Sequence, residues 1–448
     1  MNNLNYIKKK QTNFQEIILF AIKYAKNKTD EIEISIKMNK GINIQSKNLK
    51  LEKVEFEKNN YIYITVYINF KKGTVCSSDL SINSIKILIK KAILIASYTE
   101  NDNFSGLADI KKITWKEKKI KNFYNVNFNI SEGFKKTIIM EKSALNFHKS
   151  ISHIENASFN SNYSIFHIGN STGLLKSYSS TFSSIFISVI AKNNKGMQQD
   201  NFYSITKDVH DLEKSELVGI QASKKSLMKL SPQKIQTTTL PVILKSDIIP
   251  IFFSNFIKAI NGYNVYNKKT FLLNYLEKKI FPNWMNIQEN PFIKKGLGSK
   301  SFDDEGINTK IQFIVKNGIL KTWLLDSYSG KKLNYLTTGH AGTISNWIFS
   351  YDEKYNLKKM MKIMNKGILI TELMGDGVNI INGDFSYGIS GFLIENGKIL
   401  HPISENTISG NLINIFLKIV KISNDINKNS KIKSGSILFS EMKISGLN

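Results

Sequence analysis

Arginine is absent from this 448-residue chain: all 62 basic residues are lysine, set against 36 acidic ones for a formal net charge of +26. A charge of that size taken alone suggests nucleic acid or an acidic surface as partner. Arginine, however, is the side chain that reads guanine and phosphate bidentately. The lysines are also scattered, often as short pairs such as Lys71-Lys72 and Lys358-Lys359. Isoleucine, asparagine, phenylalanine and tyrosine are abundant with them, and all five share AT-rich codons. The charge is read as drift in an AT-rich genome, and specific nucleic acid is not expected as a partner. The runs Lys8-Lys9-Lys10 and Lys224-Lys225 are expected to be solvated helix faces.

Cysteine is nearly absent. Cys76 stands alone, so no disulfide can form within the chain and no CxxC pair exists, which fits a reducing compartment. Long apolar runs are missing too. The longest, such as Ile248 to Phe253, are far too short to cross a bilayer, and Met1 to Gln11 is polar with no apolar stretch behind it. No membrane partner and a cytoplasmic location are expected.

Motifs for several chemistries are lacking as well. The six histidines are His148, His153, His167, His210, His340 and His401, and none is followed by glutamate. A helical zinc hydrolase needs two histidines on one face with a glutamate beside the first. No GxSxG occurs, which removes the nucleophile elbow. Gly375-Asp376-Gly377 is a GxG, but a turn and a strand pattern follow it rather than a helix N-terminus, so nucleotide binding is rejected. His340 lies in the small-residue loop Gly339-His340-Ala341-Gly342. Two readings stay open for that loop: close approach of backbone to a ligand or another chain, or tight turns only.

What is present is apolar material for substantial cores: 42% hydrophobic residues, with 27 Phe and 18 Tyr. The length suggests two domains. Helical spacing runs from Phe14 to Ala25, and Ile32, Ile34, Ile36 and Met38 alternate as a half-buried strand. Tyr61 to Phe70 reads as a strand, Asp79 or Ser81 as the cap of a helix to Tyr98, and Glu132 to Lys149 as a further helix. Strands at Ser164 to Ile168 and Phe182 to Ala191 precede a helix from Asp211 to Leu227. The aperiodic stretch Leu230 to Thr239, with Pro232, marks the boundary, giving domains 1–229 and 240–448. Beyond it, a strand Leu240 to Leu244 leads to a helix expected to be capped by Asp247. Asn317-Gly318 and Asn396-Gly397 each sit between alternating apolar residues, the signature of a type I′ hairpin. Asp352 to Asn365 is helical, its methionines expected in the core. The fold class is α+β: two domains of antiparallel sheets with packed helices, the second β-rich.

Several runs carry a family resemblance. Thr371 to Asn379, Gly383 to Gly388, Gly391-Phe392 and Glu395-Asn396-Gly397 resemble the TldD/PmbA metalloprotease family, on the side of its PmbA (TldE)-type chains. So do Ser301-Phe302-Asp303 with Glu305-Gly306, Leu325 to Ser329, Thr338 to Ala341, Ile403 to Leu412 and the ending Glu441 to Gly446. In the first half, Val54 to Phe56, Ile64 to Tyr67 and Ser77 to Ser81 agree. The lysine, isoleucine and asparagine bias resembles that of a reduced endosymbiont genome.

The resemblance implies a paired peptidase. TldD-type chains carry an HExxxH helix and a late cysteine that hold the metal; PmbA-type chains share the fold without those ligands. Here Ser254, Asn255 and Ala259 stand at the degenerate metal-helix positions, and Ser430 to Ser434 offers no cysteine. The implied function is a subunit of a cytoplasmic metalloprotease acting on unfolded or extended peptides. No cofactor is expected in this chain, and zinc is expected in a TldD-type partner subunit. Gly339, His340, Ala341 and Gly342, together with Gly375, Asp376, Gly377 and Asp384, are the candidate cleft or contact surface. A nucleic-acid-associated regulator or a non-catalytic scaffold are the alternatives.

Overall fold

The computed structural model describes residues 3–109, 115–124, 126–375 and 377–446. The chain opens with α1 (Asn3–Ala25), then β1 (Glu31–Lys47), β2 (Lys50–Ile68), β3 (Lys71–Ser77), α2 (Ile82–Tyr98) and α3 (Ile130–Leu145). Next come β4 (Ile151–Asn170), β5 (Leu175–Asn193), β6 (Gly196–Thr206) and α4 (Ser215–Met228). The six strands form one antiparallel sheet in the order β3-β2-β1-β4-β5-β6.

The alternation in β1 is the key to this half. Ile32, Ile34, Ile36, Met38, Ile42 and Ile44 all point to one face and are buried there. Phe14, Ile18 and Ala21 of α1, with Ile85 and Ile89 of α2, cover one end of that face. Met140 and Ala144 of α3, with Val218 and Ala222 of α4, cover the other. All four helices therefore lie on one side. The opposite side carries Glu33, Lys37, Phe166 and Tyr178, and it receives the second half of the chain. Ser81 caps α2 through a bond from the Ser84 N–H, as its position suggested.

The second half contains β7 (Thr238–Leu244), α5 (Ile249–Ala259), α6 (Gly262–Tyr266), β8 (Ile287–Glu289), β9 (Gln312–Lys316), β10 (Ile319–Leu320) and α7 (Ser327–Leu333). It continues with β11 (Trp347–Phe349), α8 (Leu357–Met364), β12 (Gly367–Met374), β13 (Asp384–Glu395), β14 (Lys398–Asn411) and α9 (Leu412–Leu417). The last strands are β15 (Ile419–Ile422), β16 (Ile432–Lys433) and β17 (Ile437–Ser445).

The order β14-β13-β12-β7-β17 closes on itself because β17 also pairs with β14, so five strands form a barrel, with β15 added on β17. A smaller sheet runs β10-β9-β8-β11-β16. Both sheets depart from the expected antiparallel pairing at one seam, β7 with β12 and β11 with β16. Phe252, Phe253 and Phe256 of α5 pack with Phe281, Phe349, Phe416 and Trp347 to make the large core of this half. Both Asn-Gly hairpins form as the sequence indicates, with φ of 52° and 75° at Asn317 and Gly318 and 51° and 70° at Asn396 and Gly397. Met360 and Met364 are buried, as core methionines.

Two local expectations need correction. Asp247 does not cap α5: the helix begins after Ile248 with no side-chain cap, because Asp247 is drawn instead to Lys225 and Lys245. For the same reason Lys225 is not on a solvated helix face.

Candidate functional site at the seam between the halves

The two halves meet at two places of different character. The first is a wedge, the loop 301–309, driven into the open face of the first sheet. Phe302 is fully buried against Phe166 and Tyr178. Lys37 Nζ lies 3.2 Å from Asp304 Oδ2, and Lys176 Nζ donates to the Gly306 carbonyl at 2.9 Å. The Asp303 carboxylate accepts the N–H groups of Glu305, Ile307 and Ala341 at 3.0, 2.9 and 3.0 Å. Glu305 Oε2 accepts the Ser327 N–H at 2.9 Å and its hydroxyl at 2.5 Å.

Charge is poorly balanced there. Burial raises Glu305 to about 8, with the Asp303 charge adding to it and the Ser327 donors opposing. Burial likewise raises Asp303 to about 6 against its three backbone donors. Glu33 of β1 is raised to about 7, by burial first and then by Asp303 and Asp304, with Lys72 pulling the other way. Lys300 is buried behind the wedge and donates to the Thr343 carbonyl at 2.8 Å. Burial holds its ammonium below the ordinary lysine range.

The loop with His340 is part of this support. His340 Nε2 lies 2.8 Å from Glu289 Oε2, and His340 Nδ1 lies 2.8 Å from the Thr338 hydroxyl. The Ser345 N–H and Gln312 amide also donate to Glu289, at 2.7 and 3.0 Å. Burial pushes Glu289 up, but the His340 charge and these bonds outweigh it and bring the carboxyl down to about 2. The pair is 51 residues apart in sequence, and no local signal could have announced it. Gly339 and Gly342 have φ of 76° and 92°. Gly339, His340 and Ala341 are buried, while Gly342 reaches the surface beside Asp304. The loop thus braces the seam from inside.

The second meeting place is a cleft. A cavity of about 530 Å³ is lined by Gln199, Asp200, Asn201 and Tyr203 of the first half and by Ile248, Ile251 and Thr371 to Leu373 of the second. A neighbouring pocket of about 280 Å³ shares Asp200, Lys225, Lys229, Asp247 and Thr371 with it and adds an apolar wall of Phe202, Met228, Met361 and Phe392. Charges here are paired, within each half and across the seam. Lys229 Nζ is 2.9 Å from Asp200 and 2.8 Å from Glu372. Asp247 is 3.0 Å from Lys225 and 2.9 Å from Lys245. Burial would raise Asp247, but the two ammonium groups outweigh it and hold the carboxyl at about 2.

The degenerate metal-helix positions lie further along α5 than Ile251, which lines this cleft, and they form no metal site. Ser254 is on the exposed side of α5 and donates to the Ile251 carbonyl at 2.7 Å. Asn255 is buried and donates to the Tyr387 hydroxyl at 2.7 Å; Ala259 is buried with no donor atom to offer. These three do not fit zinc, which takes three or four imidazole, thiolate or carboxylate ligands. Among the described residues no three His, Cys, Asp or Glu side chains group as a metal site. None of the described helices is long and apolar enough to span a membrane.

The Gly375 to Asp384 segment lies at the far end of β12. Gly375 has φ of 87° and open space where a side chain would be. A Cβ on Gly377 would fall 1.7 Å from the Ser386 carbonyl oxygen, so the close pairing with β13 requires glycine there. Asp384 is exposed and accepts from Asn382 and Asn411 at 2.8 and 2.9 Å. Asp376 lies outside the described residues. The structure therefore separates the two candidate groups, placing the His340 loop in the wedge and the glycine segment beyond the cleft.

The cleft has one further property. β12 pairs with β7 only from Ile368 to Ile370, and beyond that Glu372, Leu373 and Met374 pair with β13 alone. Among the described residues, the strand edge running past Thr371 thus has no paired strand on its cleft side, which is the arrangement that accepts an added strand.

Comparison with known proteins matches residues 128–230 to the PmbA/TldA metallopeptidase central domain and residues 237–446 to the PmbA/TldA metallopeptidase C-terminal domain. The chain is 43% identical over 446 residues to a metalloprotease PmbA homolog of Buchnera aphidicola subsp. Acyrthosiphon pisum, with all of both chains covered. It is 38% identical to the metalloprotease PmbA of Escherichia coli O157:H7, covering all of this chain and 99% of that one. Among solved structures, a candidate modulator of DNA gyrase from Bacteroides thetaiotaomicron superposes with a TM-score of 0.90 at 26% identity, over 96% of this chain and 98% of that one. The endosymbiont-like composition fits the Buchnera relative.

Proposed function

Because the chain belongs to the PmbA/TldD metallopeptidase family, we propose that it is the peptide-binding, non-catalytic subunit of a cytoplasmic metalloprotease, with zinc held by a TldD-type partner. The observation that carries this reading is the free edge of β12 beside the interdomain cleft. An extended or unfolded peptide would add to Thr371–Met374 as a strand, through main-chain hydrogen bonds with little sequence selectivity. The pocket walled by Phe202, Met228, Met361 and Phe392 would take an apolar side chain of that peptide. The paired charges of Lys229, Asp200 and Glu372 tie the two walls of the cleft together at its mouth. Because Ser254, Asn255 and Ala259 do not fit zinc, this chain supplies binding and enclosure, and hydrolysis belongs to the heterodimer.

The test uses the purified full chain, alone and with a TldD-type subunit. Zinc content, hydrolysis of unfolded casein and binding of a fluorescent extended peptide are measured together. The expected result is peptide binding without zinc or cleavage by the chain alone, and cleavage once the partner is added. Backbone N-methylation of the peptide should weaken binding by tenfold or more, since it removes edge hydrogen bonds without altering the protein. Stoichiometric zinc with hydrolysis by the isolated chain would overturn the proposal.

A further inference from the structure

Two lysines converge on one residue behind the wedge. Lys300 Nζ donates to the Thr343 carbonyl at 2.8 Å, and Lys431 Nζ donates to the Thr343 hydroxyl. Lys300 is only 7% exposed, Lys431 is half-buried, and Thr343 itself is exposed. Among the described residues, neither lysine forms a salt bridge, and the acids around them are already engaged. Asp304, which lies beside Gly342, is held by Lys37 at 3.2 Å. Glu289 is held by His340 at 2.8 Å, and Asp303 accepts three backbone N–H groups. Burial holds both ammonium groups below the ordinary lysine range, and the Lys300 charge lowers Lys431 further, with Glu289 opposing. Ammonium groups placed in this way are short of negative charge.

The loop adds donors of its own. Among the described residues, the N–H groups of Gly342, Thr343 and Ile344 have no acceptor, whereas those of Ala341 and Ser345 on either side are taken by Asp303 and Glu289. Backbone N–H groups close to a core are ordinarily paired, and Ile344 is buried. Gly342 turns the chain at this point with φ of 92°. Successive N–H groups at such a turn form a concavity that takes an anion.

We propose that the Gly342–Ile344 loop, with Lys300 and Lys431, is a binding site for a small, doubly charged oxyanion of the phosphate class. A carboxylate has two oxygens and one charge, enough to answer one ammonium. A phosphoryl group has the oxygens and the charge to accept from both lysines and from the backbone at once. Each lysine gives one of its three protons to Thr343 and keeps two for the ligand. The Thr343 hydroxyl accepts from Lys431 and can turn its own proton to the same ligand. None of these residues lines the cleft, so the site stands or falls apart from the peptide-binding reading.

Isothermal titration of the full chain with inorganic phosphate, at a fixed ionic strength of ~0.15 M, is the test. Glycerol phosphate and acetate are titrated alongside. One phosphate per chain is expected, with a Kd below about 1 mM, and no measurable binding of acetate. Lys300→Met and Lys431→Met should each weaken phosphate roughly tenfold or more. Amide hydrogen exchange at Gly342 to Ile344 should slow when phosphate is saturating. In phosphate-free buffer Lys300→Met should melt no lower than the parent, because it removes a buried cation that has no counter-ion. A lysine with a purely structural role would not behave that way. Tighter binding of glycerol phosphate than of phosphate would identify the ligand as an esterified phosphoryl group, and the reverse as the free ion; both support the site. Phosphate that binds no better than acetate, or binding that survives both substitutions, would overturn the proposal. So would a Lys300→Met variant that melts well below the parent without phosphate.

Discussion

The wedge and the cleft join the same two halves with opposite electrostatics. In the wedge, Glu33, Asp303 and Glu305 are gathered where water is scarce, and their carboxyls rise to about 7, 6 and 8. In the cleft, every buried or half-buried charge has found its opposite, and Asp247 falls to about 2. A closed seam can hold acids because they take up protons there instead of being solvated. The open seam stays in contact with water, and its charges are neutralised in pairs instead. The wedge thus pins the two halves together by packing, and the cleft is the gap that the proposed peptide would enter.

The largest effect should come from the apolar part of the pin. Phe302 is sealed between Phe166 and Tyr178, and Phe302→Ala leaves a cavity that the sheet cannot collapse into. A loss of about 3–5 kcal/mol is expected by urea denaturation. The same substitution should separate the unfolding of the two halves into resolvable transitions. A loss below about 1 kcal/mol would mean that the wedge does not hold the halves together.

Next in size is the response to pH, where the two seams should differ in sign. The wedge carboxyls have folded values above their unfolded ones, so they bind protons more tightly in the folded state. Their contribution is complete below about pH 4.5 and is lost as pH rises through 6, 7 and 8 in turn. Asp247 behaves the other way: its contribution is present above about pH 4 and is lost as pH falls toward 2. Urea midpoints should fall by the equivalent of roughly 2–4 kcal/mol between pH 5 and 8.5. Glu305→Gln should flatten the upper part of that decline, because the amide cannot release a proton. A flat profile, or one that rises with pH, would break the contrast.

How much of this was legible in the sequence divides along the same line. Alternation showed β1, because only one of its faces is buried and isoleucine marks it. The Asn-Gly turns declared themselves because few other pairs tolerate two positive φ angles. The other central strand of the first sheet was harder. β4 runs for 20 residues, yet only Ser164 to Ile168 looked like strand, because Asn and Ser fill the rest. Pairing on both sides, with β1 and β5, imposes the extended form on residues with little preference for it.

The parallel seam of β7 with β12 was hidden for another reason. More than a hundred residues separate the two strands, and alternation says nothing about direction. At the seams, Asp247 and Glu289 each have a plausible local role, and each answers to a partner far along the chain. His340 was conspicuous by its glycine neighbours, but its meaning depends on Glu289. Buried charge is a property of the folded pair, so single positions could not disclose it.

A smaller effect is expected from the best-shielded cleft cation. Lys229 has a side chain only 9% exposed, and it neutralises Asp200, itself 14% exposed. Lys229→Met keeps the length of the side chain and removes the charge, leaving Asp200 shielded and unpaired. A loss of about 2–3 kcal/mol at pH 7 is expected by urea denaturation. A loss below about 1 kcal/mol would mean that charge pairing does not hold the cleft walls, and the contrast with the wedge would weaken.

The smallest effect should come from Lys225, and its smallness carries information. Asp247 is held at once by Lys225 at 3.0 Å and by Lys245 at 2.9 Å, and all three side chains keep a quarter or more of their surface in water. Removing one of two cations from a half-exposed carboxylate leaves the other to neutralise it. Lys225→Met should therefore cost less than about 1 kcal/mol. Lys245→Met should behave alike, and only the double variant should approach the cost of Lys229→Met. If Lys225→Met alone cost as much as Lys229→Met, the cleft walls would be as rigidly fixed by charge as the wedge is by packing, and the distinction between pin and gap would fail.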